Sequence, residues 1–164
     1  CAPPIYGSDQ GSAWRSPAFD DSEWASGVSP LGYGTLDTAT ATTEVSFGGD
    51  PDNKFATTYF RRTFELSDPT KVAELLFELE IDDGGIVYIN GEEVSRIRAD
   101  GVDSFDDYTG QSQGSETSND ILTFSGALTQ LLLTGTNTIA IEVHQTNATS
   151  SDTWLNLEIG RAHV

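Results

Sequence analysis

The chain has 164 residues, enough for one domain with a real core, and sets 26 acidic against 8 basic residues for a formal net charge of −18. That balance argues against nucleic acid and against an anionic membrane face, because both demand a basic surface. No apolar run approaches the ~20 residues of a membrane span, so membrane insertion is not expected, and a single cysteine, Cys1, allows no internal disulfide. Two readings of Cys1 stand open: a bacterial lipid-attachment site, or simply the position at which the chain begins.

Residues 1–56 read as loop-rich, with turns at "PLGYG" and "FGGDPDN". Strict alternation then begins. In "TTYFRRTFEL" (57–66), Phe60, Phe64 and Leu66 fall on one face and Tyr59, Arg61, Thr63 and Glu65 on the other. In "VAELLFELEI" (72–81), Leu75, Phe77, Leu79 and Ile81 oppose Leu76, Glu78 and Glu80. "GIVYING" (85–91) is a further strand, and "GEEVSRIR" (91–98) returns through the tight turn Asn90-Gly91. A long polar stretch follows at 99–120, a length that usually marks function or mobility. "ALTQLLLTGTN" (127–137) is the one short helix the pattern allows, closed by Gly135. "NTIAIEVHQ" (137–145) turns Ile139, Ile141 and Val143 inward, and "TWLNLEI" (153–159) turns Leu155, Leu157 and Ile159 inward. The whole predicts a single domain over 1–164: an all-β, antiparallel β-sandwich with half-buried strands, whose jelly-roll type is what the family resemblance given below implies.

Several residues stand out chemically. Asp82-Asp83 precedes Gly84-Gly85, where a carboxylate can cap backbone N–H groups of a turn. The alternative is calcium, since adjacent carboxylates offer the hard oxygens Ca2+ prefers. Asp20-Asp21-Ser22 reads as an Asx-type turn with Trp24 tucked beneath it. Arg62 shares the inward phase, and a buried guanidinium needs a partner, so a carboxylate is expected beside it at the sandwich edge. Arg61 points the other way. Trp154 falls on the outward phase of the last strand: either it is a flat platform for a sugar ring, or the 99–120 loop folds over it with Phe105 and Tyr108. Nothing in the sequence has the G-x-S-x-G, H-E-x-x-H or Cys-His form of a catalytic motif.

"FDDSEWASGVSPLGYG" (19–34), "TYFRRTFEL" (58–66), "DDGGIVYINGEEVSR" (82–96) and "LLTGTNTIAIEVHQTNATSSDTWLNLEI" (132–159) together resemble galactose-binding-domain-like β-sandwiches of secreted, multidomain bacterial proteins. The resemblance implies a non-catalytic carbohydrate-binding module, secreted or at the cell surface, within a larger protein and with a polysaccharide as partner. A structural or protein-docking sandwich of a surface assembly is the alternative. It also implies a structural Ca2+ held between an early loop and the last strand, with Asp20, Asp21 and Glu158 as candidates, apart from the Asp82 and Asp83 pair read above from its own chemistry. The expected sugar site joins Trp154 and Tyr108 to Arg61, Glu80, Glu142 and His144, brought together by the outward phases of neighbouring strands.

Overall fold

The computed structural model describes residues 2–36, 39–112 and 120–163. Its strands run in chain order: β1 (Ala2–Tyr6), β2 (Leu31–Tyr33), β3 (Thr35–Leu36), β4 (Ala39–Thr40), β5 (Thr43–Glu44), β6 (Thr57–Leu66), β7 (Val72–Asp82), β8 (Gly84–Ile89), β9 (Glu92–Ile97), β10 (Asp120–Ser125), β11 (Gly135–His144) and β12 (Thr153–His163). One five-stranded sheet has the order β1-β6-β11-β8-β9, here the front sheet. The back sheet has the order β10-β7-β12-β2-β5. All their pairings are antiparallel except β2–β5. The architecture is an all-β sandwich, as the alternation predicts. Cys1 and residues 113–119 of the long polar stretch lie outside the described residues.

The inward phases meet in one core. Leu75, Phe77, Leu79 and Ile81 of β7 pack with Phe60 of β6, Ile139, Ile141 and Val143 of β11, and Leu155 and Leu157 of β12. Each such side chain contributes roughly 1.5–3 kcal/mol on burial. A one-residue slip of any central strand would turn that set to the wrong face, so the pattern fixes the register. At the β8–β9 turn Asn90 and Gly91 have φ of 52° and 98°, the left-handed region this residue pair tolerates. The Asn90 side chain also donates to the Leu131 carbonyl and accepts from the Thr138 amide.

Three expectations change. The short helix is a single 3-10 stretch, Gly126–Leu131, and Gly135 opens β11 instead of closing a helix. Gly84 and Gly85 form no turn but the start of β8. Gly84 is required by close approach: a Cβ there would lie 2.6 Å from the Arg98 carbonyl oxygen. Arg62 keeps the inward phase, yet its head stays exposed and donates to the Leu157 carbonyl on the back sheet rather than to a carboxylate. The long aliphatic stem lets a guanidinium escape the core in this way. The buried arginine is its neighbour, Arg61.

Arg61 explains a second core that alternation alone does not predict. It lies on the outer face of the front sheet, 2% exposed, and pairs with Asp21 at 2.9 Å. It also donates to the carbonyls of Trp14 and Ser16 and stacks over Phe19. These contacts hold the N-terminal loop against the sheet. Trp14 and Trp24 then bury against Tyr59, Ile86, Tyr88 and Ala140, with Ala99 and Val102 closing from the other side. The outward phase of the front sheet is thus a covered face. Arg61→Ala is expected to lower stability by about 3 kcal/mol, because it strands buried carbonyls and one carboxylate. Arg62→Ala is expected to stay within about 1 kcal/mol. Urea unfolding of both variants checks the contrast.

Candidate ligand cleft

Between the N-terminal loop and the segment 102–105, a cleft of about 480 Å3 opens over the outer face of the front sheet. Its floor comes from three adjacent strands. Glu142 and His144 lie two apart on β11 and so share a face. The register sets Tyr59 of β6 opposite Glu142, Thr57 opposite His144, and Tyr88 of β8 opposite Ala140. Arg15 enters from the N-terminal loop with its guanidinium 4.0 Å from the Tyr88 ring centroid. Glu93 and Arg96 of β9, paired at 2.8 Å, stand at the far wall.

Glu142 is the electrostatic centre. The Tyr88 hydroxyl donates to its Oε1, and Arg15 Nη2 lies 3.5 Å from the same oxygen. His144 Nε2 lies 3.7 Å from Oε2, beyond hydrogen-bond distance. Burial pushes the Glu142 carboxyl up, but His144, the Tyr88 hydroxyl and Arg15 outweigh it and hold the group below its ordinary range. Burial, and then the Glu142 charge, pushes the Tyr59 phenol up. Burial and the hydrogen bond to Glu142 do the same to Tyr88. Both phenols therefore stay neutral donors beside an ionised acceptor. His144 Nδ1 is occupied, 2.9 Å from Thr57 Oγ1 and 2.9 Å from the Asp107 carbonyl. His144 Nε2 and Arg15 Nε are buried without a hydrogen-bond partner.

The structure splits the six sugar-site residues expected from sequence. Glu142 and His144 meet in the cleft. Both were expected on a solvated face, and both are buried because the two loops cover that face. Arg61 shares the sheet face but is consumed by Asp21 and two carbonyls. Trp154 and Glu80 belong to the back sheet, on the opposite side of the sandwich. Trp154 is buried rather than exposed, at 3%, and its Nε1 donates to Glu80 Oε2 at 3.3 Å. It is no free platform. Tyr108 is partly exposed, outside the cleft, with its hydroxyl bonded to the Lys54 carbonyl.

The expected early-loop calcium set does not assemble. Asp20 accepts from the Ser22 amide in the Asx turn, and Asp21 is committed to Arg61. Glu158, outward and exposed on β12, lies on the far side of the sandwich. Among the described residues no three His, Cys, Asp or Glu side chains converge as a metal cluster. Asp82 and Asp83 are both buried. Asp83 Oδ2 accepts from the Thr146 amide at 2.7 Å and from Ser150 Oγ at 3.0 Å, so it caps the distant 145–150 loop rather than its own turn.

Sequence reading missed Arg15, Tyr59 and Tyr88 as cleft residues. The two tyrosines were legible as outward-phase neighbours of Glu142. Arg15 sits in an irregular loop, where no periodicity points to its target.

A carboxyl held below its ordinary range contributes stability that is complete above the unfolded-state value and is lost as pH falls through the lower folded value. The Glu142 contribution should therefore fade below about pH 4. Glu142→Gln is expected to cost about 1–3 kcal/mol at pH 7, and the gap to wild type should close under acid. Urea midpoints between pH 3 and pH 7 read this directly.

No protein-family model matches the chain, and no curated protein matches it. Solved structures do share its fold. β-Glucuronidase 2 of Bacteroides uniformis superposes with a TM-score of 0.54 at 20% identity, over 93% of this chain and 16% of that one. A glycosyl hydrolase family 2 member from Bacteroides cellulosilyticus gives 0.54 at 14% identity, over 94% and 19%. A β-glycosidase from Bacteroides vulgatus gives 0.51 at 17% identity, over 96% and 19%. Identities this low show the fold alone. The chain spans less than a fifth of each of these proteins, so its sandwich matches one part of a larger glycosidase chain.

Proposed function

We propose that this chain is a non-catalytic carbohydrate-binding sandwich of galactose-binding-like type, part of a larger secreted or surface protein. Its sugar site is the cleft over β6, β11 and β8, not a Trp154 platform. The observation that carries the reading is the cleft floor. The buried, unpartnered Nε–H donor of Arg15 and the unpartnered Nε2 of His144 flank an ionised Glu142, beside Tyr59 and Tyr88. A sugar hydroxyl both donates and accepts, so one hydroxyl can accept from Arg15 while donating to Glu142 or to His144 Nε2.

The electrostatics favour a neutral glycan. Asp9, Glu93, Asp103 and Glu142 outnumber Arg15 and Arg96 around the cleft, within a chain of net charge −18. The same balance supports binding over hydrolysis. A glycosidic general acid needs its carboxyl raised so that it carries a proton near neutrality. Glu142 is shifted the other way. That the structural neighbours are themselves glycosidases fits an accessory role beside a catalytic domain.

The second reading is a docking or structural sandwich without a sugar site, and the burial of Trp154 favours it. Affinity electrophoresis against neutral and anionic polysaccharides separates the two. Retardation by a neutral glycan is expected. Arg15→Ala should weaken it about tenfold, the worth of one hydrogen bond to a charged group. Tyr108→Ala should leave it unchanged. Absence of retardation on every glycan would shift the assignment to docking.

A further inference from the structure

The groups around His144 fix which of its nitrogens carries the proton. Thr57 Oγ1 donates its one proton to the Phe105 carbonyl, and the Asp107 carbonyl can only accept. Both oxygens lie 2.9 Å from His144 Nδ1, so Nδ1 bears the hydrogen and donates to them. In the neutral ring Nε2 is then a bare lone pair. His144 lines the cleft, its side chain is buried, and Nε2 has no hydrogen-bond partner. Facing it, 3.7 Å away, stands Glu142 Oε2, a second acceptor. Glu142 Oε1 differs, because the Tyr88 hydroxyl and Arg15 Nη2 already serve it.

Two acceptors side by side, with no donor between them, define the group they would take. A hydroxyl brings one proton and satisfies Oε2 or Nε2, leaving the other bare. A secondary amide also brings only one. A primary ammonium brings three protons and no lone pair, so nothing on it repels either acceptor. A nitrogen at about 2.9 Å from both atoms would see them about 80° apart, which bends two tetrahedral N–H bonds only slightly. Charge acts in the same direction. Arg15 is set against Glu142 and Arg96 against Glu93, which leaves Asp9 and Asp103 in the lining without a counter-charge from either arginine. A cation entering there is attracted, and its hydrogen bond to a carboxylate is roughly twice as strong as a neutral one.

We propose that the cleft selects amino sugars, with the free ammonium group of a hexosamine seated between Glu142 Oε2 and His144 Nε2. This rests on the sugar reading of the cleft and narrows it. Neutral glycans bind through hydroxyls, and a hexosamine binds more tightly because one group satisfies both acceptors. Thr57 and the 105–107 segment are positioning elements here, since they hold the proton on Nδ1 and keep Nε2 open as an acceptor.

NMR titration of isotope-labelled protein at neutral pH tests the assignment. The probes are monosaccharides, whose single charge avoids the general attraction of a polycation to an acidic chain. Glucosamine and galactosamine are each compared with their N-acetyl form and with the parent hexose, which carries a hydroxyl in place of the amine. The free amines are expected to bind about tenfold tighter than either counterpart. The His144 ring nitrogens should report a bare Nε2 before binding and a hydrogen-bonded Nε2 after it. Glu142→Gln should bring the amines down to the affinity of the parent hexoses. Should that variant fail to fold, the wild-type comparison still decides. Equal affinity for the three forms, or an Nε2 already protonated in the free protein, would overturn the inference and leave the sugar reading standing. Binding of none of these sugars would overturn it as well, and retardation on a polysaccharide would then show separately whether the sugar reading survives.

Discussion

The clamp that Arg61 forms on the N-terminal loop is the constraint from which the front of the molecule follows. A guanidinium stays charged at any physiological pH and cannot be buried without acceptors. Here the acceptors are Asp21 and the carbonyls of Trp14 and Ser16. Satisfying Arg61 therefore lays an irregular loop across a sheet face that would otherwise be wet. Trp14 and Trp24 follow the loop into burial, and Arg15 is carried to the rim of Tyr88 and Glu142. Without the clamp, the floor of the cleft would be an open sheet with a screened carboxylate.

β11 links the cleft to the end of the sandwich. His144 and Gln145 are consecutive, and in an extended chain consecutive side chains face opposite ways. His144 looks out into the cleft, where it meets Glu142. Gln145 looks the other way, into the end of the sandwich, where it is buried. The loops on either side are tied to the same place. His144 Nδ1 contacts the Asp107 carbonyl, and the Thr109 amide donates to the Gln145 carbonyl. Asp83 holds the 145–150 loop from beneath. Order at the end of the sandwich and shape at the cleft therefore share a strand and two loops.

Much of the architecture was legible because burial on one face imposes a period of two. The limits of β6 and β7 and the β8–β9 turn all follow from where alternating apolar residues begin and stop. The short strands β1 to β5 were not legible. With two to five residues each, they carry too little pattern, and their pairing depends on edges that other strands create. Gly84-Gly85 misled for a related reason. Glycine marks turns, but it also marks close approach, and only the position of the Arg98 carbonyl separates the two.

Alternation by itself determined which way each strand residue points: Glu142, His144, Tyr59, Tyr88 and Arg61 to one outer face, Trp154 and Glu80 to another strand's outward phase. Direction is a local property of the extended backbone, so sequence suffices for it. Whether an outward residue meets water is not local. It depends on which sheet the strand joins and which loop crosses that sheet, and both are settled by contacts tens of residues apart, such as Arg61 with Asp21 or Asp83 with Thr146. Tertiary structure therefore decided that Trp154 is buried, that Glu80 and Glu142 lie on opposite sides of the sandwich, and that Glu142 sits ionised in a sheltered cleft.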